Sequence, residues 1–262
     1  MTKTALLVSS FGTSYHDTAE KNIIALEQEL AEAFPDYHFY RSFSSPTIRK
    51  KLRERDQLKV YSVEEALEQI VADGCDSLLV QPGYLVSGLE FHRLKLALAT
   101  YRDRFKWIKL GLPLLPPQVD LSEFASALKV DLEKSSDEVA LLYMGHGTKL
   151  ANDHVYRDLT NIFRRAGYEH AYIATIEGKE GLDEVLAILR EHHYKEIHLL
   201  PLMLVAGDHA KNDMVGDDPN SWRSILLRKG WQVSYELRGL GELESIRTIF
   251  VERARKAQEF TD

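Results

Sequence analysis

The feature that most limits what this chain can fold into is a series of short apolar runs and helical periods that it carries twice. Thr4–Val8 is a buried-strand run that stops at Ser9-Ser10-Phe11-Gly12-Thr13. Ala19, Ile23, Leu26, Leu30 and Phe34 then recur three or four apart, which marks one face of a helix. His38–Phe43, Ser77–Val80 and Trp107–Leu110 read as further strands, with a helical period at Val63, Ala66, Leu67 and Ile70. The series starts again with a strand at Val139–Met144. Val155, Leu159, Ile162, Phe163 and Ala166 share a helix face that Gly167 ends. Ala171–Ala174, Ile197–Leu200 and Trp231–Tyr235 complete the second set. Strands that alternate with amphipathic helices predict parallel sheets with right-handed crossovers. The expected fold class is therefore α/β, with two similar doubly wound halves. Three prolines in Gly111–Gln118 exclude regular structure and place the seam there, giving halves of 1–118 and 119–262.

The halves overlay without gaps in two stretches. Lys3–Thr13 falls on Glu138–Thr148, where Ala-Leu-Leu and Gly-Thr recur. Val63–Glu90 falls on Leu182–His209, where Glu65, Leu67, Pro82, Leu85, Val86 and Gly88 meet identical residues. The common order of elements makes an internal duplication the expectation. In this overlay His146 stands opposite Phe11 and His209 opposite Glu90.

Composition narrows the classes of function. With 44% hydrophobic and 28% charged residues among 262, the chain reads as an ordinary globular protein. A net charge of -7 argues against non-specific nucleic-acid binding. Cys75 is the lone cysteine, so neither an internal disulfide nor a thiolate metal cage can form. No apolar run reaches the length of a membrane span, so no membrane partner is expected and the cytoplasm is the expected location.

Open parallel sheets bind ligands beyond the carboxyl ends of their strands. His146, in Gly145-His146-Gly147-Thr148, directly follows a strand, and its flanking glycines let a bulky ligand approach. It is either a ligand or an incidental residue in a tight turn. His209, in Leu204-Val205-Ala206-Gly207-Asp208-His209, leaves an apolar strand for a polar loop, so it is either a partner to His146 or a surface histidine. Glu177 ends a third strand, as a metal ligand or as an acid favoured at a helix start. Two imidazoles and a carboxylate suit a divalent first-row metal, with open positions for water or substrate. Glu90 either faces the cleft from the first half as a proton acceptor or is a solvated cap. His92 reads as a helix-surface residue. The run Arg49-Lys50-Lys51-Leu52-Arg53-Glu54-Arg55 reads as a solvated helix face in the first place, and as a patch for a polycarboxylate ligand in the second.

Four motifs together resemble the anaerobic cobalt chelatases of cobalamin synthesis, the CbiK type of class II chelatase. They are Ala5-Leu-Leu-Val-Ser-Ser-Phe-Gly-Thr13, Tyr143-Met-Gly-His-Gly-Thr148, Thr175-Ile-Glu-Gly178 and Pro201-Leu-Met-Leu-Val-Ala-Gly-Asp-His-Ala-Lys-Asn-Asp-Met214. The resemblance implies a chelatase-like fold whose tetrapyrrole binds in the cleft between the halves. It implies ATP-independent insertion of cobalt(II) into sirohydrochlorin, or precorrin-2, with cobalt as the bound substrate metal and no organic cofactor. By motif, His146, Glu177 and His209 take the metal-binding positions, and His146 and Glu90 the catalytic ones. Both imidazole roles need the neutral ring, so activity is expected to fall as pH drops below about 6.5. Iron or nickel on the same tetrapyrrole, and a non-catalytic carrier, are the alternatives. A symmetric homo-oligomer is expected of an enzyme of this kind.

Overall fold

The structure is a computed structural model that describes residues 3–116, 121–147, 154–178 and 181–261. Thr148, Pro117 and Gln118 of the motifs above lie outside the described residues. The chain forms two compact units, one of Met1–Pro116 with Ile246–Asp262 and one of Pro117–Ser245.

In the first unit, β1 (Thr4–Ser10), β2 (His38–Phe43), β3 (Ser77–Gly83), β4 (Trp107–Leu110) and β9 (Gln258–Glu259) make one sheet in the order β2-β1-β3-β4-β9. All neighbours are parallel except β4 and β9. The apolar runs form strands because both sheet faces are covered; Ala5, Leu6, Leu7, Leu78 and Val80 are completely buried. Helix α1 (Ala25–Ala33) continues from a π-helical turn at Ala19–Ile24. Ser45 caps α2 (Pro46–Asp56), with proline at the first helical turn. Ser62 and Glu65 close a capping box at the start of α3 (Val63–Ala72). Val63, Ala66, Leu67 and Ile70 then bury the predicted face of α3 in the core. Helix α4 (Leu89–Tyr101) follows the loop after β3 and adds Phe91, Leu94 and Leu98 to that core.

The second unit repeats the plan. Strands β5 (Val139–Gly145), β6 (Ala171–Thr175), β7 (Glu196–Leu202) and β8 (Gln232–Tyr235) lie in the order β6-β5-β7-β8, all parallel. This is the order β2-β1-β3-β4 over again. Ser9 pairs with Ser42 and Pro82 as Met144 pairs with Ala174 and Pro201, so the overlay read from sequence coincides with the sheet registers. Helices α5 (His154–Arg165), α6 (Leu182–Glu191) and α7 (Trp222–Arg228) supply the crossovers.

The units differ from the expected halves at the carboxyl end of the chain. Helix α8 (Glu244–Arg255) begins beside the second unit, but from Ile246 onward the chain belongs to the first. There β9 pairs antiparallel with β4, Lys109 to Glu259 and Leu110 to Gln258. The cause is the open edge of β4, whose unpaired backbone groups take up the last strand. Arg247 also reaches Glu29 within that unit. Among the described residues, no helix is long and apolar enough to cross a membrane.

Candidate functional site

Strand β5 ends in a turn that leaves no room for side chains other than that of His146. A Cβ on Gly145 would stand 2.8 Å from the ring of Tyr156, and a Cβ on Gly147 would stand 2.5 Å from the backbone nitrogen of Gly178. Gly147 also has φ +82, a conformation that glycine adopts without penalty. The turn is held on both sides. Ile176 N–H donates to the Gly145 carbonyl at 3.1 Å, and Glu177 N–H donates to the His146 carbonyl at 2.9 Å. From α5, the buried Tyr156 accepts the Gly147 N–H on its hydroxyl at 3.3 Å. The imidazole of His146 is left exposed on this rigid platform.

His209 enters from the loop after β7 and stands just before a π-helical turn at Ala210–Met214. Such turns change the facing of side chains locally and recur at functional sites. The two imidazoles meet with ring centroids 5.0 Å apart, nearly perpendicular. Their places just after parallel strands put these histidines on one edge in the sequence, and the structure brings the two rings together. Each presents its Nδ1 to a group that can only accept. For His146 this is the Gly147 carbonyl at 3.3 Å; for His209 it is the Asp213 carboxylate at 2.5 Å. In the neutral form of each ring, Nδ1 then carries the hydrogen and Nε2 the lone pair. Two Nε2 lone pairs from adjacent rings are what a divalent first-row metal takes.

Among the described residues, no three His, Cys, Asp or Glu side chains gather at metal-binding spacing. The imidazoles stand as a pair. Glu177 is anchored to His146 by its backbone, while its side chain is solvent-exposed. Glu90 lies in the first turn of α4 after Gly88, in the unit without the histidines. Its Oε1 accepts from Arg93 at 2.9 Å, and its Oε2 is buried without a partner. His92 is exposed on the same helix, as the sequence suggested.

The basic run is spent largely on local pairs. Arg49 donates to Glu65 at 3.4 Å, Lys50 lies 3.8 Å from Glu54, and Arg55 binds Asp56 and the Ser14 carbonyl. The alternative of a solvated helix face thus accounts for most of it, with Lys51 and Arg53 exposed.

Two residues of the site had escaped the sequence reading. Tyr156 was hidden in a helix period whose other members are core residues. Asp213 had a usable signal, its spacing of four from His209, which puts both side chains on one face of a helical turn. A carboxylate behind a ligating imidazole fixes its ring and tautomer, and its loss costs about 10- to 100-fold in metal affinity. With His209 as a cobalt(II) ligand, the role the motif resemblance implies, Asp213→Asn is expected to weaken cobalt(II) binding by that factor in titration calorimetry, at unchanged melting temperature. Wild-type affinity in the variant would show that His209 needs no such support.

Comparisons with known proteins show the family and the fold. The family of cobalt chelatases (CbiK) matches residues 4–259. Sirohydrochlorin cobaltochelatase of Salmonella typhimurium is 36% identical over 255 residues, covering 97% of this chain and 96% of that protein. Sirohydrochlorin cobaltochelatase CbiKC of Nitratidesulfovibrio vulgaris is 31% identical over 266 residues, covering 100% of this chain and 93% of that one. Among solved structures, SirB from Bacillus subtilis, determined with Fe3+, superposes with TM-score 0.67 at 15% identity, covering 97% of this chain and 95% of SirB. CbiX, described as the terminal enzyme of siroheme biosynthesis in denitrifying bacteria, superposes with TM-score 0.53 at 17% identity, covering 97% and 99%. At these identities the two superpositions speak for the chelatase fold.

Proposed function

The chain belongs to the CbiK family of cobalt chelatases, and from that premise we propose that it inserts cobalt(II) into sirohydrochlorin, without ATP or an organic cofactor, in the anaerobic branch of cobalamin biosynthesis. The observation that carries the chemistry is the pair of touching imidazoles with both Nε2 lone pairs available.

Insertion exchanges two pyrrole N–H protons for one divalent ion. Each N–H bond breaks with its electron pair left on nitrogen, and those pairs then bind the metal. The site must therefore hold an ion and accept protons beside it. His209, fixed by Asp213, is suited to hold the incoming ion, with Glu177 as a further ligand from the end of β6. His146 is suited to both tasks, because its ring sits on a turn clamped to β6 and α5 and is exposed above it. Glu90, on the corresponding strand edge of the first unit, is the proposed acceptor of the other proton. General bases of this kind act by taking the proton in the transition state.

The test is to mix cobalt(II) and sirohydrochlorin with the protein and follow the absorption change of the tetrapyrrole. An insertion rate well above the spontaneous one, with turnover, is the expected result. Binding of both without acceleration would make the protein a carrier. Faster steady-state insertion of iron(II) or nickel(II) than of cobalt(II) would reassign the metal, since ligand type alone does not select among these ions.

A further inference from the structure

Each unit places a residue of the proposed chemistry seven positions after the end of its third strand. In the first unit Gly83 ends β3 and Glu90 follows; in the second Leu202 ends β7 and His209 follows. The two strands hold the same place in their sheets, since Ser10 of β1 pairs with Gly83 as Gly145 of β5 pairs with Leu202. Both residues then stand where a helical turn begins, α4 for Glu90 and the π-helical turn at Ala210–Met214 for His209.

The likeness extends to what stands behind each residue. His209 presents Nδ1 to the carboxylate of Asp213, four residues on, at 2.5 Å. Glu90 accepts on Oε1 from Nη1 of Arg93, three residues on, at 2.9 Å, and its Oε2 is buried without a partner among the described residues. Residues three and four apart meet on one face of a helical turn, so each pair is fixed within its own turn. The charges are exchanged. One unit sets an acid behind an imidazole, the other a guanidinium behind a carboxylate. In both, one atom of the side chain is tied to the opposite charge and the second keeps a lone pair.

Stability alone gives little reason for the pair. A carboxylate in a first helical turn is already favoured by the macrodipole, and an ion pair with one member exposed contributes little. The side chain of Arg93 is 61% exposed and that of Glu90 23%. A buried carboxylate oxygen without a donor is unfavourable, so a Glu90 side chain left to itself gains by turning Oε2 out to water. The charge-assisted hydrogen bond from Arg93 to Oε1 opposes that rotation.

We infer that Arg93 is a positioning residue for proton removal: it holds Oε1 of Glu90 so that Oε2 stays in place as the accepting atom, as Asp213 holds Nδ1 of His209. The inference rests on the reading of Glu90 as a proton acceptor. In that step a pyrrole N–H bond breaks, its electron pair stays on nitrogen, and the proton forms a new O–H bond at Oε2. Arg93 neither gives nor takes a proton, because its guanidinium stays charged throughout.

The test compares Arg93→Met, Arg93→Lys, Glu90→Gln and the double variant of Glu90→Gln with Arg93→Met in steady-state cobalt insertion. Methionine keeps an unbranched apolar stem and removes the donor. Arg93→Met is expected to lower kcat about tenfold, with KM for cobalt(II) and for sirohydrochlorin unchanged, the mark of a misplaced reacting group. Arg93→Lys, which can still donate to Oε1, should recover most of that rate. Glu90→Gln should lose more, about 10²-fold or more, and Arg93→Met should then have no further effect. Full turnover in Arg93→Met beside an impaired Glu90→Gln would overturn the inference and leave Glu90 standing. A loss that persists undiminished in the double variant, or one confined to KM for sirohydrochlorin, would make Arg93 a contact for the substrate's carboxylates and overturn it as well. Full turnover in Glu90→Gln would remove the proposed role of Glu90 itself, and that of Arg93 with it.

Discussion

Turnover of cobalt insertion is expected to fall by about 10²- to 10⁴-fold in His146→Ala, the range that a lost general base costs. The variant should fold normally. The imidazole is exposed, and the hydrogen bonds that hold the turn come from the backbone of residues 145–147 and from Tyr156, so the substitution touches none of them. The loss should be larger in turnover than in cobalt affinity, because His209 and its Asp213 support remain. Steady-state kinetics and direct metal titration of the same preparation separate the two effects. A variant that inserts cobalt at the wild-type rate would end the assignment of His146 as base. One that loses metal affinity and turnover in equal measure would reduce His146 to a ligand.

Gly147→Ala is expected to do damage of another kind. At φ +82 an alanine pays about 1–2 kcal/mol for the left-handed backbone alone. Its Cβ would also stand 2.5 Å from Gly178 N and 3.0 Å from Gly178 Cα, which are backbone atoms that no rotamer change can move aside. The expected cost is about 2–4 kcal/mol, read as a lowered melting temperature. The clash forces the His146 turn away from the end of β6, so activity should be lost even at temperatures where the variant is fully folded. Gly167→Ala is the control. Gly167 has a similar φ of +88, but an added Cβ there meets nothing within 4 Å. It should show the strain of the backbone and keep its activity. Equal effects from the two substitutions would mean that backbone strain, and not the packing of Gly147 on Gly178, explains the loss.

Much of the fold was legible because buried parallel strands announce themselves locally. His38–Phe43 and Trp107–Leu110 have the bounds read from their apolar runs, and the other strands read from the sequence run only one to three residues longer or shorter. The histidines were legible for a related reason. A polar residue between glycines, or at the point where an apolar strand turns polar, stands out from its neighbours in the chain. The last seventeen residues were not legible as part of the first unit. They follow the second unit directly in sequence, and only the unpaired edge of β4, more than 130 residues earlier, gives them their place. The basic run of α2 left a solvated helix face and a ligand patch both open, and the pairing of Arg49 with Glu65, which the fold brings from α3, speaks for the first.

By itself the sequence determined a doubled α/β chain with its candidate histidines at the carboxyl ends of the strands, because alternation, glycines and motif order are local properties. Tertiary structure alone decided how that chemistry is held. It set two rings 5.0 Å apart, put Asp213 behind one of them and Tyr156 beneath the other, and left His146 facing outward on a turn packed against Gly178. The reason is physical. A histidine ligates or takes a proton only with its lone pair aimed, and the aim comes from groups that meet it through space.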